Sequence, residues 1–338
     1  MIWGENGSGK TSLLEAIYIL SIGKSFKTHK QSTIIKKGSS KYLIRGDFYS
    51  KGVESVVGIQ ANLKRKKTIK INGKIINKRN ELIGKNNVVI LSPEDQAITK
   101  GGPKERRFFF DRLFSTINKD YLNTLQSFNR VLKQRNALLN NKNTFGEEYY
   151  LPWEEKLSNY AIKIWELRKK CIYDYKKCLD NVTHEYQKEM TLNLFYDEKV
   201  YTKKEYLDLL GKTRERDLLL GSTSRGPHRD NIYILWGRDN IRECGSQGEH
   251  KIALVLLKLA EINLIKNETG EYPIVLLDDV FAKLDLKRSK KLVSYLNSIN
   301  ISSSNSVQTI ITTTDILNIE KSGLILEASG IKNYKLGL

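Results

Sequence analysis

The stretch that most constrains the fold is the glycine-rich segment near the N-terminus, residues 4–11, which reads G-E-N-G-S-G-K-T. It matches the phosphate-binding pattern G-x-x-x-x-G-K-[ST] and leads into an apolar helical run. Glycines let a backbone wrap closely around phosphates, and a helix N-terminus adds a favourable potential for anions. Lys10 is then expected to reach the β- and γ-phosphates of ATP, and the Thr11 hydroxyl to bind Mg²⁺. The predicted nucleotide-binding residues are Gly4, Glu5, Asn6, Gly7, Ser8, Gly9, Lys10 and Thr11.

The charge balance of the 338-residue chain is strongly basic, since 57 Lys and Arg residues against 38 Asp and Glu give a net charge of +19. Such an excess favours polyanionic partners, although a solvated Lys-rich surface would give the same balance. Without a bilayer-spanning apolar run or a signal peptide, we expect a cytoplasmic protein with no membrane contact. Cys171, Cys178 and Cys244 lack C-x-x-C spacing and are expected to be small buried apolar residues.

Hydrophobic patterns divide the chain into three stretches. The first is rich in β-structure, with a hairpin turn expected at Asn72-Gly73 and strands at 42–49, 53–63, 68–71, 74–77 and 88–91. The second is helical from Pro103 to about residue 190. In the third, strands at 232–236, 274–277 and 307–311 alternate with a helix at 252–265, which indicates a parallel sheet.

The helical stretch contains one long predicted helix that opens at Trp153. Its apolar residues alternate spacings of four and three, interrupted by Arg168, which is typical of a helix–helix seam. Residues 121–139 look like its antiparallel partner. We interpret the pair as a helical arm, and a plain helical subdomain without a special role is an equal alternative.

The second chemical motif is an apolar strand that ends in two acids, Asp278 and Asp279. This is the Walker B pattern, in which Asp278 would hold Mg²⁺ through water opposite Thr11. Asp279 is the predicted catalytic residue, because an acid at this place can orient or deprotonate the attacking water. An ordinary strand followed by an acidic turn would look the same, but the phosphate loop upstream favours Walker B.

A third motif precedes the helix that leads to this strand, and it fits the signature loop of ABC-type ATPases. In that architecture the loop binds the γ-phosphate of the nucleotide held by the other subunit, so ATP joins two chains. Asp285 fits the D-loop that crosses the same interface, and Thr314 stands where a switch histidine is usual. The predicted signature residues are Ser246, Gln247, Gly248 and Glu249.

Together these motifs predict an α/β fold, an ABC-type P-loop ATPase head with a parallel sheet, a flanking β-rich lobe and an inserted helical arm domain. Residues 1–112 would form the first part of the head, with the P-loop and the β-rich lobe. Residues 113–220 would form the arm. Residues 221–338 would complete the head with the signature loop and Walker B.

The chain resembles the RecF family of bacterial recombination-repair ATPases along its whole length. The resemblance rests on S-P-E-D at 92–95, K-G-G-P at 100–103, G-P-H-R-D at 226–230 and S-Q-G-E at 246–249, together with L-L-D-D-V-F-A-K-L-D at 276–285 and I-T-T-T at 311–314. S-P-E-D, K-G-G-P and G-P-H-R-D are more specific to this family than the ATPase motifs are.

The resemblance implies a protein that binds single- and double-stranded DNA without sequence preference, especially where single strands meet duplex. It implies a homodimer that forms on ATP and a weak, DNA-stimulated ATPase that uses Mg²⁺. It also implies mediators of the RecO and RecR type, with which such proteins place RecA on gapped DNA.

Some positions depart from the family pattern. The family has strands ahead of the P-loop, whereas only Met1, Ile2 and Trp3 precede it here. We therefore expect either a start upstream of Met1 or a truncated copy whose first lobe is incomplete. Asn231 ends the G-P-H-R-D motif where a second Asp is usual, and Gln96 is interpreted as a loop residue, with a contact to Mg²⁺ as the alternative.

DNA contacts require Lys and Arg side chains on one face, and no base-reading motif is present. Each candidate could equally be a solvated charge. His228 and Arg229 are expected to be structural, at the dimer seam. The candidates for phosphate contact are Lys64, Arg65, Lys66, Lys67, Lys104, Arg106, Arg107, Arg130, Lys133 and Arg135.

Three other functions share parts of this pattern. The nucleotide-binding subunit of another ABC-type machine is disfavoured by the Asp278-Asp279 pair, by the helical arm and by the absence of a switch histidine. A GTPase is disfavoured because N-K-x-D does not occur at the candidate sites near residues 77–80 and 118–120. A truncated copy with impaired ATPase activity remains open at this point.

Overall fold

The computed structural model describes residues 1–28, 30–64, 66–141, 146–187, 190–281, 284–302, 307–324 and 330–337. The chain divides into two compact units. The first comprises 1–96, 184–188 and 246–338, and the second comprises 97–183 and 189–245. The second unit therefore extends beyond the predicted arm at both ends.

In most of the chain, the strands and helices follow one another in the order that the sequence patterns predict. The strands are β1 (Ile2–Gly4), β2 (Lys41–Ser50), β3 (Val53–Asn62), β4 (Lys67–Ile71), β5 (Lys74–Ile76), β6 (Val88–Leu91), β7 (Leu192–Tyr196), β8 (Ile232–Trp236), β9 (Asp239–Asn240), β10 (Ile274–Asp278), β11 (Thr309–Thr313) and β12 (Tyr334–Leu336). The α-helices are α1 (Lys10–Ile22), α2 (Ala97–Lys100), α3 (Pro103–Ile117), α4 (Lys119–Leu139), α5 (Glu147–Tyr186), α6 (Lys203–Lys212), α7 (Arg214–Leu220), α8 (Ile241–Cys244), α9 (Gln247–Thr269), α10 (Leu286–Ser302) and α11 (Ile316–Lys321).

A parallel sheet in the order β12-β1-β11-β10-β6 forms the centre of the first unit. Side chains alternate between its faces. Val88 and Ile90 of β6 pack with Leu14 of α1, whereas Val89 and Leu91 line the opposite face with residues of α9. Because both faces of β6 and β10 are covered, β6 and the first four residues of β10 are continuous hydrophobic runs, whereas β11 also contains threonines.

The β-rich lobe is an antiparallel sheet in the order β2-β3-β4-β5. Asn72 and Gly73 join β4 to β5 with φ of 49° and 78°, so the predicted hairpin turn is confirmed. Ile19 and Leu20 of α1 pack against the buried face of this lobe. One helix thus contributes to two cores, and this positions the loop at its N-terminus.

In the second unit α4 and α5 run antiparallel, as predicted, since Arg135 contacts Glu154 and Tyr121 contacts Arg168. The apolar seam of α5 is buried. The helix begins at Glu147 rather than at Trp153, with Pro152 inside it. Proline favours a helix start, but the acidic first turn before it extends the helix in the N-terminal direction.

The strand β8 does not belong to the parallel sheet, and the prediction that it does is wrong. It pairs antiparallel with β7 and β9 in a three-stranded sheet of the second unit. Alternation along the chain could not reveal this, because β7 is separated from β8 by two helices. Cys171 and Cys178 are buried as expected, whereas Cys244 is exposed. Among the described residues, no helix is both long enough and apolar enough to cross a membrane.

Candidate nucleotide-binding site

The phosphate-loop segment lies between the end of β1 and the start of α1, as its motif requires. Gly7 and Gly9 have φ of 88° and 93°, a region in which a side chain would be strained. No described side chain caps α1. The loop amides and the first N–H groups of the helix are thereby available to an anion.

Lys10 is buried, and its ammonium group spans the loop. Nζ donates hydrogen bonds to the carbonyl oxygens of Gly4 and Glu5, each at 2.7 Å. Both partners are neutral, and no carboxylate of the described residues forms an ion pair with this side chain. The lysine is therefore held at the loop with its positive charge available to phosphate.

The predicted Walker B acid meets the phosphate loop. The Thr11 hydroxyl donates to Asp278 Oδ1 at 3.0 Å, although the two residues are 267 positions apart in the chain. Thr312, on the neighbouring strand β11, donates to the same oxygen at 2.9 Å. Sequence reasoning did not assign a role to Thr312, because the motif comparison pointed to Thr314, which is exposed just after the strand.

The donor set around Asp278 fits Mg²⁺. Among the described residues no cluster of three His, Cys, Asp or Glu side chains could hold a metal. Mg²⁺ does not need one, since it is bound by one or two protein oxygens together with waters and phosphate oxygens. Thr11 and Asp278 supply such oxygens. Gln96 is half-buried and lines a small depression together with Asp278, so it is not the plain loop residue that we expected.

Asp279 has the backbone conformation that L-residues rarely adopt, with φ of 52°. Its N–H donates to the Thr312 carbonyl oxygen at 3.2 Å, which holds this conformation in place. Its Oδ1 is buried and has no hydrogen-bond partner among the described residues. Strain and an unpartnered carboxylate oxygen beside the predicted metal-binding acid are features of functional positions.

The predicted signature loop forms the start of α9. Ser246 is the N-cap residue, whose Oγ accepts from the N–H of Glu249 at 3.3 Å, while Glu249 accepts from the N–H of Ser246 at 2.7 Å. Hydrogen bonds from the backbone and the side chain of Ser246 to the Glu249 carboxylate lower the pKa of Glu249. Ser246 and Gln247 are exposed, and so is Asp285 of the predicted D-loop, which forms an ion pair with Arg288.

Two of the basic residues predicted to contact DNA, Arg106 and Arg135, are buried within the protein, which corrects those two predictions, whereas Arg107 is half-buried. Arg106 is buried and donates to Gly101 and to Asn231, and burial lowers its pKa. Arg107 donates to the Asp230 carbonyl oxygen at 2.6 Å. Arg135 is fully buried in ion pairs.

The remaining candidates differ in how accessible they are. Lys67 donates to the Gly23 carbonyl oxygen, and burial, together with the charges of Arg79 and Lys24, lowers its pKa to about 8. Arg65 lies outside the described residues. The exposed candidates are Lys64, Lys66, Lys67, Lys104, Arg130 and Lys133, of which Lys67 has its ammonium bonded to Gly23.

His228 is structural, as expected, but the contacts that hold it lie within its own unit. Its Nε2 lies 2.9 Å from the Thr223 carbonyl oxygen and its ring contacts Phe128. Burial lowers the pKa of His228 to about 4, and the charges of Arg229 and Arg107 act in the same direction. The imidazole is therefore neutral at physiological pH.

A parallel sheet in which one strand leads into a phosphate loop and another ends in the Walker B acid defines an ATPase head of the ABC and SMC class. The family description that matches residues 1–333 is "RecF/RecN/SMC N terminal domain". The chain belongs to the RecF family of DNA replication and repair proteins.

Relatives in two organisms carry the name DNA replication and repair protein RecF. The protein of Leptospira interrogans (strain 56601) is 37% identical over 323 residues, which cover 94% of this chain and 86% of that protein. The protein of Clostridioides difficile (strain 630) is 37% identical over 320 residues, covering 89% and 83%.

Solved structures give the same assignment. The structure of the recombination mediator protein RecF with ATP in the RecFOR pathway is 31% identical, covers 99% of this chain and 88% of that chain, and has a TM-score of 0.85. An Smc head bound to a domain of ScpA has a TM-score of 0.52 at 18% identity over 95% of this chain and 83% of that chain, so that likeness concerns the fold alone.

Proposed function

We propose that this chain is an ATP-switched DNA-binding protein of recombination repair. The single observation that carries the proposal is the 3.0 Å hydrogen bond between Thr11 and Asp278, which unites the phosphate loop and the Walker B acid in one site. The ATP-bound structure of a relative that covers 99% of this chain supports the same ligand.

In the proposed mechanism Lys10 and the loop amides bind the triphosphate, and Thr11 and Asp278 would hold Mg²⁺. The metal would supply neutralisation of phosphate charge. Thr312 fixes the orientation of the Asp278 carboxylate through its hydroxyl. Asp279, with its unpartnered Oδ1, accepts a proton from the attacking water or orients it.

We further propose that two copies of the chain close around ATP. The exposure of Ser246, Gln247 and Asp285 supports this, because polar loops of this kind would become buried at such an interface. In this proposal ATP hydrolysis leads to opening of the dimer and thereby sets its lifetime. It does not serve to make a metabolic product.

DNA is the proposed partner, bound where single strands meet duplex, and the net charge of +19 supports a polyanion. No base-reading motif is recognisable in the sequence, so the proposed contacts are to the backbone. Mediators of the RecO and RecR type, and the loading of RecA onto gapped DNA, belong to this proposal through the family.

Light scattering with and without ATP tests the nucleotide switch. Lys10→Ala should weaken ATP binding roughly 10- to 100-fold, because a charge-assisted contact to phosphate is lost. It should abolish dimerisation at moderate ATP concentration. Asp279→Asn should still bind ATP and should accumulate the dimer. A wild-type protein that stays monomeric with saturating ATP would contradict the mechanism.

Salt dependence tests the DNA contacts. The affinity for a gapped duplex should fall steeply with salt, and removing one phosphate contact should lower the slope of log affinity against log salt by about 0.9 on duplex. Lys66→Ala is the first variant to measure, since Lys66 is exposed. Lys67→Ala is the matched control, because its ammonium is already bonded to Gly23. Equal slopes for wild type and Lys66→Ala would remove Lys66 from the contact surface.

A further inference from the structure

An arginine that no motif predicts lies against the signature loop. Arg288 stands in the first turn of α10, and its guanidinium packs on the backbone of Gly248. A Cβ placed on Gly248 would lie 2.9 Å from Nη2 and 3.3 Å from Nη1 of Arg288. Glycine at this position thus permits the close approach of a cation to the loop.

The guanidinium is held in this place by the D-loop acid. Asp285 accepts a hydrogen bond from the N–H of Arg288 at 3.0 Å, and its other oxygen lies 3.1 Å from Nε. Nε is therefore occupied, whereas neither Nη has a hydrogen-bond partner among the described residues. The side chain of Arg288 is 28% exposed, so solvent reaches it in the single chain.

The electrostatic potential around Gly248 favours the binding of an anion. The N-terminus of α9, a helix of 23 residues, carries a positive potential, and the Nη groups of Arg288 add positive charge to the same turn. Glu249, the acid of that turn, is turned back onto the N–H of Ser246. Two positive features therefore converge on Gly248, and the Nη face of Arg288 has no acidic partner among the described contacts.

We infer that Arg288 binds the γ-phosphate of the ATP held by a second copy of this chain, beside the signature loop. The inference rests on the proposed function and deepens it, since it adds a side chain to a contact that would otherwise depend on Ser246 and backbone amides. Asp285 positions Arg288 before the dimer forms. Guanidinium groups suit this task because their planar N–H fork binds phosphate oxygens in pairs.

The first experiment compares Arg288→Ala with Lys287→Ala, an exposed positive charge one residue earlier on the same helix. Arg288→Ala should weaken ATP-dependent dimerisation at least about tenfold, as expected for a lost charge-assisted contact. Binding of a fluorescent ATP analogue to the monomer should not change, because the phosphate loop is intact. Lys287→Ala should match wild type in both measurements.

Two further variants separate phosphate binding from support of the loop. Arg288→Lys retains the charge and should recover part of the dimerisation, whereas Arg288→Gln retains polar length without charge and should behave like Arg288→Ala. Equal behaviour of the Lys and Gln variants would show that charge at this position is irrelevant and would overturn the inference. Urea unfolding of each variant controls for stability.

Mixing two defective variants tests whether the contact crosses the interface. Arg288→Ala has an intact phosphate loop, and Lys10→Ala has an intact Arg288, so a mixed dimer holds one complete composite site. At one fixed protein concentration, energy transfer between labelled chains should report stronger ATP-dependent association than either variant shows alone. Arg288→Ala mixed with the Lys10→Ala/Arg288→Ala double variant is the control, and it should show no such gain.

The outcomes of these experiments are separable. If wild type fails to dimerise with ATP, the proposed function fails and the role of Arg288 fails with it. If wild type dimerises and Arg288→Ala matches Lys287→Ala, only the role of Arg288 is overturned. If Arg288→Ala is defective and the mixture does not recover, Arg288 acts on the nucleotide of its own chain, and the inference is overturned as well.

Discussion

The nucleotide site and the helical unit both bury charged groups, but they treat them in opposite ways. In the helical unit Arg135 lies between Glu154 and Asp217 at 2.9 and 2.7 Å, and all three side chains are fully buried. In the nucleotide site Lys10 donates to carbonyl oxygens, while Ser8 Oγ and Asp279 Oδ1 have no partner among the described residues. In the helical unit these charges are paired with one another, whereas the nucleotide site contains polar atoms without partners.

This difference distinguishes a structural charge cluster from a binding site. A buried charge that is fully paired contributes to the uniqueness of the fold and has no capacity left for a ligand. Buried polar groups without partners lower the stability of the ligand-free chain, and they are retained where a ligand supplies the missing partners. By this criterion Arg168, which pairs with Asp111 and Asp230, belongs to the framework.

The largest expected effect lies in the helical unit. Arg135→Met should lower the free energy of unfolding by about 3–5 kcal/mol, because it leaves two acids buried without their shared partner. Glu154 would retain its ion pair with Arg214, whereas Asp217 would lose the one ion-pair partner that it has among the described residues. Urea unfolding followed by circular dichroism measures this.

The control for Arg135→Met is on the same helix. Arg130→Met removes an exposed arginine of α4 and should change stability by less than about 0.5 kcal/mol. Lys10→Ala should likewise leave the fold nearly as stable, since the two hydrogen bonds that it loses go to neutral carbonyls. If Lys10→Ala destabilised the chain as much as Arg135→Met, the distinction between the two regions would not hold.

The next effect concerns His228 and pH. Its pKa is about 4 in the folded chain, against an ordinary value of 6.5, so between these values the unfolded chain binds the proton and the folded chain does not. The free energy of unfolding should therefore fall as pH is lowered from 6.5 to 4, by up to about 3 kcal/mol, and this contribution should level off below pH 4.

Two substitutions isolate this contribution to the pH dependence. His228→Gln should flatten the pH dependence of unfolding in that window, because the titrating group is removed. His184→Gln replaces an exposed histidine of α5 and should leave the pH dependence as in wild type. A wild-type curve that is flat between pH 6.5 and pH 4 would contradict the lowered pKa of His228 in the folded chain.

The sequence alone could predict the nucleotide site but not the fate of individual charges. Phosphate loops and Walker B strands are local patterns, so the spacing of residues along the chain assigns Lys10, Thr11 and Asp278 to one site. The pairing of Arg135 with Asp217 joins residues far apart in the chain, and nothing in the spacing of α4 distinguishes it from exposed Arg130. The sequence therefore predicts Arg106 and Arg135 as candidates for DNA contact, although both are buried.

Two further differences have the same physical origin. Strand β8 reads as one more strand of an alternating pattern, and only its pairing with β7 places it in another sheet. The sequence predicts no role for Arg288, because the position of its side chain depends on the contact with Asp285 and on the absence of a side chain at Gly248. Local patterns thus predicted many of the elements, though not β7 or β12, whereas long-range contacts decided which charges remain available.

The smallest expected effect returns to the nucleotide site and has the opposite sign. Asp279→Asn should raise the free energy of unfolding of the nucleotide-free chain by about 1 kcal/mol, because a neutral amide replaces a carboxylate with a buried, unpartnered oxygen, and Asn tolerates φ of 52° well. Urea unfolding measures the change, and Asp315→Asn, a half-buried acid shortly after β11, is the control. If Asp279→Asn has a higher free energy of unfolding and its ATP-induced dimer dissociates more slowly, the stability that the Asp279 carboxylate removes is linked to its function. A loss of stability would mean that the Asp279 carboxylate is satisfied within the fold, and the contrast with Arg135 would then fail at this residue.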